Sequence, residues 1–370
     1  MTNKILLVTI HNANNYGAIF QAYALQEILK EYGDVEVLDY NNKHISISFR
    51  LIRIKLTIHG MLGMGKDVFR LFPRYRVIRK FKSFIENHFN LSERHEKNRS
   101  FDCGKYKFLV SGSDQIWNPA CISDNLILDP TYFLEFGSKH QSKISYASSM
   151  GAYNFNGEEK QQLKGYLSSY KSISVREFER KTYLEEILPN TNVEHVLDPS
   201  LLLSKDKWID LAKKKDFKHP FNGEKYILLY TVPKVKLIRK AIKYYKKRTG
   251  LKVVSVEQGL SAGANVDKHI MDAGPYEFLQ LFLHAELVIT DSFHGTCFSL
   301  NFNKKFVSVS PGKNVNRIES ILRELNLKER ILYSEKDFEK VDESLTSDLD
   351  TKLLDNLRNR SFQFLNNSFK

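Results

Sequence analysis

Cysteine is scarce in this chain. Its 370 residues hold three, Cys103, Cys121 and Cys297, with no CxxC pair and no spacing that suits a metal. An odd, scattered set argues against a disulfide framework, and buried, reduced thiols in a reducing compartment are expected. Long apolar runs are missing too: no window offers the roughly 18 uncharged apolar residues that a membrane span needs. The apolar run over 5–10 is too short for a signal peptide and meets Asn12 and Asn14 at once, so it reads as a first core strand. No Gly-x-Gly-x-x-Gly motif occurs, which removes the dinucleotide fingerprint. The chain has no internal repeat, no low-complexity tract, no recognisable nucleic-acid module and no metal-ligating cluster.

Acid is the other local absence. Between Lys43 and Lys82 eleven lysines and arginines face one acid, Asp67, within a chain of net charge +13. Apolar residues interleave with the basic ones, including Leu51, Ile52, Val68, Phe69, Leu71 and Phe72. Such interleaving suits an anionic membrane surface or a phosphate-bearing lipid. Nucleic acid is the rival, but the aromatics do not fall on a strand as a stacking platform would. The plain alternative is a basic, solvated helix pair packed on its own domain.

What is present is ample material for packed cores: 42% hydrophobic residues and 12% aromatics. The length suits two domains of roughly 150–200 residues. Short apolar runs predict strands over 5–10, 35–40, 108–111, 143–147, 172–175 and 193–198. The spacing of Ala18, Phe20, Ala22, Leu25, Ile28 and Leu29 predicts a helix opening at Tyr16-Gly17. After Pro220-Phe221-Asn222-Gly223 the alternation starts afresh, with strands over 226–230, 253–256, 287–290 and 306–309 between helices over 235–248, 276–283 and 295–302. Strand–helix alternation means parallel sheets covered by helices. The expected α/β architecture is two Rossmann-like domains with a cleft between them. The first spans 1–205 with a basic helical insert over 43–90, and the second spans 206–345. An amphipathic helix over 346–370 packs back.

In open parallel sheets ligands sit at the strands' carboxyl ends, so the informative loops are those that follow strands. The run Thr290-Asp291-Ser292-Phe293-His294-Gly295-Thr296 joins a strand to a helix. First-turn amides and the positive end of the helix dipole attract an anion there, beside a titratable imidazole. The alternative is that His294 only caps the helix or packs in the loop. Arg176, at another strand end, can hold a carboxylate or phosphate, or form a structural pair with Glu177, Glu179 or another acid. Asp114 can accept a hydroxyl's proton or simply shape its turn. Trp117 can pack or offer a sugar platform.

Six of these pieces, in order, resemble the polysaccharide pyruvyl transferase family. They are Asn15-Tyr16-Gly17-Ala18 with Gln21-Ala22-Tyr23-Ala24-Leu25, then Ser111-Gly112-Ser113-Asp114-Gln115-Ile116-Trp117-Asn118-Pro119. Ile144-Ser145-Tyr146-Ala147-Ser148-Ser149-Met150-Gly151 and Ser174-Val175-Arg176-Glu177 come next, and then Asp198-Pro199-Ser200-Leu201-Leu202 and the Asp291–Thr296 run. The resemblance covers residues from about 9 to 310, and the basic stretch lies outside its motifs. It implies a GT-B-like fold and a transferase that moves a pyruvyl group from phosphoenolpyruvate onto two sugar hydroxyls as a cyclic ketal, with release of phosphate. It puts His294 and Arg176 at the donor site.

The residues fit that chemistry. Ketal formation protonates the methylene carbon of the donor while a hydroxyl attacks its neighbour, and a histidine suits that proton transfer. His294 and Asp114 are therefore the expected catalytic pair. Arg176, Asp291, Ser292, Gly295 and Thr296 are expected to bind the donor, and Asn15, Tyr16, Ser113 and Gln115 the acceptor. No metal and no cofactor besides phosphoenolpyruvate as co-substrate are expected. The acceptor is a cell-surface glycan or its polyprenyl-diphosphate-linked precursor, met in the cytoplasm or at the inner face of the cytoplasmic membrane. Two rivals stand beside this reading: a GT-B nucleotide-sugar glycosyltransferase, and a non-catalytic glycan- or lipid-binding protein.

Overall fold

Residues 3–53, 58–97, 99–312 and 315–370 are described by the computed structural model of the chain. Residues 54–57 of the basic stretch, Lys55 among them, fall outside the described residues. The chain divides into two compact units. The first is built from the chain up to Phe49, Ile85–Leu203 and Leu354–Lys370; the second from Arg50–Phe84 and Ser204–Leu353.

The first unit holds seven strands: β1 (Lys4–Val8), β2 (Asp34–Tyr40), β3 (Leu91–His95), β4 (Phe108–Ser111), β5 (Ser142–Ser148), β6 (Tyr170–Val175) and β7 (Val193–His195). They form one sheet in the order β3-β2-β1-β4-β5-β6-β7, and each pairing is parallel. The second unit holds β8 (Tyr226–Tyr230), β9 (Lys252–Val256), β10 (Lys268–Ile270), β11 (Leu287–Thr290), β12 (Lys305–Val309) and β13 (Ile331–Leu332). Its order is β10-β9-β8-β11-β12-β13, again parallel throughout. The two α/β units with wholly parallel sheets match the expected class.

The central strands are short runs of Leu, Ile and Val buried on both faces, as a sheet covered on both sides requires. The strands absent from the sequence reading are edge strands: β3 (Leu-Ser-Glu-Arg-His), β10 and β13. β3 and β10 pair on one side only and carry charge, and β13 is two residues long, so their apolar signal is weak.

The partition departs from the expected boundaries in two places. The basic insert is expected in the first domain, yet Arg50–Phe84 belongs to the second unit. Its helix Leu71–His88 is tied there by ion pairs from Arg76 to Asp272 and from Lys80 to Glu277. A ring contact between Phe84 and Tyr276, with centroids 5.4 Å apart, continues the packing. The boundary at the chain's end falls inside the last helix, Thr351–Ser368, and not at residue 346: Leu354–Lys370 joins the first unit. There Ser361 Oγ accepts from Leu197 N at 3.0 Å, Arg358 Nε donates to the Leu201 carbonyl at 2.7 Å, and Leu365 is fully buried.

Because every strand of a sheet runs the same way, all its carboxyl ends share one edge. The order reverses between β1 and β4 in the first unit and between β8 and β11 in the second. Loops leaving those neighbours diverge, and each divergence opens a crevice at the strand ends.

Candidate functional site

In the first unit, Gln21 fills the crevice between β1 and β4. It is one of two buried glutamines, with Gln26, in the largely apolar helix Tyr16–Leu29. Its Nε2 donates to Thr9 Oγ1 at 3.0 Å and to the Ala18 carbonyl at 2.9 Å, and its Oε1 accepts from Ser113 N at 3.1 Å. The turn after β4 passes so close to β5 that only glycine fits. A Cβ at Gly112, where φ is +128°, would lie 2.0 Å from the Tyr146 carbonyl oxygen. Ser113 Oγ then donates to the Ala147 carbonyl at 2.8 Å and lies 3.4 Å from Asp198 Oδ2. Asp114 comes next with φ of 64°, a left-handed turn that aspartate tolerates better than most residues.

Asp114 leads to the main feature of this edge. The buried Arg176 guanidinium, at the end of β6, is ringed by carboxylates from three loops. Nη1 lies 2.7 Å from Asp198 Oδ2, Nη2 lies 3.6 Å from Asp114 Oδ1, and Nε lies 3.7 Å from Glu177 Oε1. Burial disfavours its charge, but the attraction of Asp198, Glu177 and Asp114 prevails and holds its pKa above the ordinary arginine value. Asp198 caps the next turn, accepting from Ser200 N at 2.9 Å and from Ser200 Oγ at 2.6 Å. One cation among three carboxylates leaves the cluster negative. Of the two readings open for Arg176, the geometry contains the structural pair with acids. A donor anion brought to this guanidinium would meet the three carboxylates.

The remaining residues of the first unit divide between surface and interior. Asn15 is exposed and caps the helix, its side chain accepting from Ala18 N at 3.2 Å. Tyr16 is buried. Gln115 Oε1 accepts from Asn118 Nδ2 at 2.8 Å. Trp117 is fully buried and stacks on Phe133 with ring centroids 5.5 Å apart, which makes it a packing residue.

The second unit handles its crevice differently. Asp291 bridges β11 and the loop after β8: its Oδ2 accepts from Thr231 Oγ1 at 2.7 Å and its Oδ1 from Val232 N at 2.8 Å. Burial raises its pKa, partly offset by the hydrogen bonds from Thr231, Val232 and Val235. Both carboxylate oxygens are thus used to hold the loop, and a donor would meet the helix start beyond Asp291. Ser292 caps the helix Phe293–Asn301, its Oγ accepting from Gly295 N at 3.4 Å. Gly295 is demanded by packing, because a Cβ there would lie 2.1 Å from Thr290 Oγ1. Thr296 is buried and shares a 2.8 Å hydrogen bond with Ser308 Oγ.

His294 therefore sits in the first turn of a rigidly seated helix, with 8% of its surface exposed. Beside it, the Arg317 guanidinium lies 5.8 Å from the centre of the Phe293 ring. The positive end of the helix meets this imidazole, and a guanidinium lies against the neighbouring Phe293 ring, an arrangement suited to an anion.

Sequence reasoning missed Gln21, Asp198, Thr231 and Arg317 as site residues. Three had a signal: Asp198 and Thr231 directly follow strands, and Gln21 interrupts an apolar helix face. Arg317 had none, since it reaches Phe293 only through the fold. His294 and Arg176 belong to different units. Among the described residues no group of three or more His, Cys, Asp or Glu is placed to hold a metal ion. The three cysteines are free thiols. No helix among the described residues is long and apolar enough to cross a membrane.

A model of the family described as polysaccharide pyruvyl transferase matches residues 15–313. A comparison with curated proteins finds no match. Among solved structures, UDP-N-acetylglucosamine 2-epimerase from Rickettsia bellii is similar with a TM-score of 0.50 at 9% identity, over 100% of this chain and 97% of that one. UDP-GlcNAc 2-epimerase from Neisseria meningitidis gives 0.47 at 10% identity, over 99% of each chain. The corresponding enzyme from Methanocaldococcus jannaschii gives 0.46 at 14%, over 95% of this chain and 94% of that one. At such identities the likeness is one of fold, and the fold is GT-B-like.

Proposed function

The chain belongs to the polysaccharide pyruvyl transferase family, and from that premise we propose that it moves a pyruvyl group from phosphoenolpyruvate onto two hydroxyls of a sugar as a cyclic ketal. The acceptor in this reading is a cell-surface polysaccharide or its lipid-linked precursor, met in the cytoplasm at the inner face of the membrane. Besides the family match, the observation that carries the reading is the seating of His294 in the first turn of the helix Phe293–Asn301, next to Phe293, whose ring Arg317 covers.

The donor carries a carboxylate and a phosphate, and the helix start with Arg317 supplies the positive potential both require. His294 gives its proton to the methylene carbon, which becomes the methyl group. One sugar hydroxyl adds to the neighbouring carbon and loses its proton to a base, for which Asp114 is the candidate. The oxygen of the second hydroxyl then displaces the phosphate from the same carbon, and its proton leaves with the phosphate, closing the ketal and releasing inorganic phosphate. Ser292, Gly295 and Thr296 seat the helix, and Asp291 holds the loop after β8. In this assignment Arg176 is not a donor ligand; it orients Asp114 and Asp198. Asn15, Tyr16, Ser113 and Gln115 are retained as the acceptor-side set, with Ser113 and Gln115 shaping the turn that presents Asp114. No step calls for a metal or a further cofactor.

The test is phosphate release from phosphoenolpyruvate in the presence of a glycan acceptor. Wild type is expected to release phosphate and add a pyruvyl mass to the glycan. His294→Ala is expected to stay folded and lose about 10²–10⁴-fold in turnover, the range of general acid catalysis. Release that depends only on a nucleotide sugar would replace this reading with a glycosyltransferase, and acceptor binding without turnover would replace it with a binding protein.

A further inference from the structure

We propose that the corner between the helices Ile58–Phe69 and Leu71–His88 is a wedge that docks the second unit on an anionic lipid surface. The inference deepens the membrane-facing part of the proposed function and rests on it. Its first ground is exposure. Phe69 is 83% exposed and Phe72 77%, and Val68, Leu71 and Tyr75 beside them are exposed as well. Leu51 and Ile52 add to the same patch, because Arg74 on the second helix donates to the carbonyls of Arg50 and Leu51. Scattered exposed apolar residues are ordinary, but a contiguous set led by two phenylalanines marks an interaction surface.

The second ground is rigidity. Asp67, whose carboxylate is fully buried, accepts from Arg53 Nη2 at 2.8 Å and from Arg70 Nη2 at 2.7 Å. Burial alone would raise its pKa, yet the hydrogen bonds from Arg53 and Arg70 hold it well below the usual carboxylate range. Arg70 also donates to the Gln258 carbonyl, which fastens the corner to the body of its unit. The polar groups of this corner are spent on holding it together, and its apolar groups face out.

Charge complementarity selects the partner. The exposed stripe of the second helix runs Phe72, Tyr75, Arg79, Lys82, a helical spacing that puts phenylalanine at one end and cations behind it, while Arg76 beside them is paired with Asp272. Exposed Arg50 and Lys66 flank the tip. Aromatic tips that enter the acyl boundary, backed by cations at headgroup level, suit an anionic bilayer. A second copy of this chain, equally basic here, would be repelled.

The experiment is flotation of the full-length protein with phosphatidylcholine vesicles and with vesicles of phosphatidylcholine and phosphatidylglycerol in equal parts. Wild type is expected to float with the anionic vesicles and far less with the neutral ones. The double variant Phe69→Ser, Phe72→Ser is expected to keep its melting temperature and bind about a hundredfold more weakly, about tenfold for each phenylalanine withdrawn from lipid. Phe72→Trp is expected to report burial by a blue-shifted emission on vesicle addition. Wild type that does not float, a double variant that floats equally well, or a wild-type dimer that the double variant splits would each overturn the wedge. Phosphate release on a water-soluble acceptor is measured in parallel. If wild type floats without releasing phosphate, the transfer reading fails while the wedge stands.

Discussion

The carboxyl edges of the two sheets share a topology and differ in chemistry. Each sheet is parallel, each reverses its order once, and each has a polar side chain bridging the reversal: Gln21 in the first unit, Asp291 in the second. Beyond that point they part. The first unit gathers Asp114, Glu177 and Asp198 around the buried Arg176. The second keeps its neighbours neutral, with Thr231, Thr290, Thr296 and Ser308 near the helix that carries His294. A buried charge survives only when paired, so the first edge spends its cation inside the protein. The second edge leaves the field of its helix available to a ligand. One topology can therefore enclose its cation among acids or leave a helix start open to an anion, depending on which residues leave the strands.

The largest effects should come from exchanging the roles of Arg176 and His294. Arg176→Met removes the partner of three carboxylates and is expected to cost about 3–5 kcal/mol of stability, read as a lowered urea midpoint. His294→Ala is expected to leave that midpoint nearly unchanged while turnover collapses. If the first variant unfolds no more readily than the second, the contrast between the edges is broken.

Asp291→Asn sharpens it next. An amide keeps one acceptor oxygen, and its NH2 must face either Val232 N or the pair Thr231 Oγ1 and Val235 N, so about 1–3 kcal/mol should be lost at neutral pH. Its pH dependence has a definite sign. With the native pKa raised, the folded state holds the proton more tightly than the unfolded chain. The contribution of this group to stability is then greatest below the unfolded pKa, whose ordinary value is 3.8, and declines as pH rises through the native pKa. Stability measured across that window should lose this slope in the variant. The smallest effect is Ser292→Ala, which deletes a helix cap worth about 1 kcal/mol and should lower the melting temperature slightly.

Much of the fold was readable from the chain. The central strands are short apolar runs bounded by polar turns, and their order of appearance with helices implies parallel sheets. The edge strands β3, β10 and β13 were not readable, because a strand paired on one side needs little apolar sequence. Of the candidate site, the loop positions of Asp114, Arg176 and His294 followed from their places at strand ends. The fates of their side chains did not. Arg176 has two of its three acids in loops 62 and 22 residues away, Asp114 and Asp198, and no local pattern distinguishes a guanidinium so enclosed from one awaiting a ligand. The basic stretch shows the same limit. Its charge and apolar interleaving are plain in sequence, but which phenylalanines are buried and which are exposed is decided by the Asp67 and Arg74 networks.

Sequence periodicity reports what a residue's neighbours along the chain require, and that was enough for the α/β class and the strand-end loops, while the family was legible in six motifs that resemble it. Three-dimensional packing sets which distant charges meet, because such a pair joins residues far apart in the chain. That is why the inward turn of Arg176, the approach of Arg317 to Phe293, and the joining of Arg50–Phe84 to the second unit emerged only with the fold.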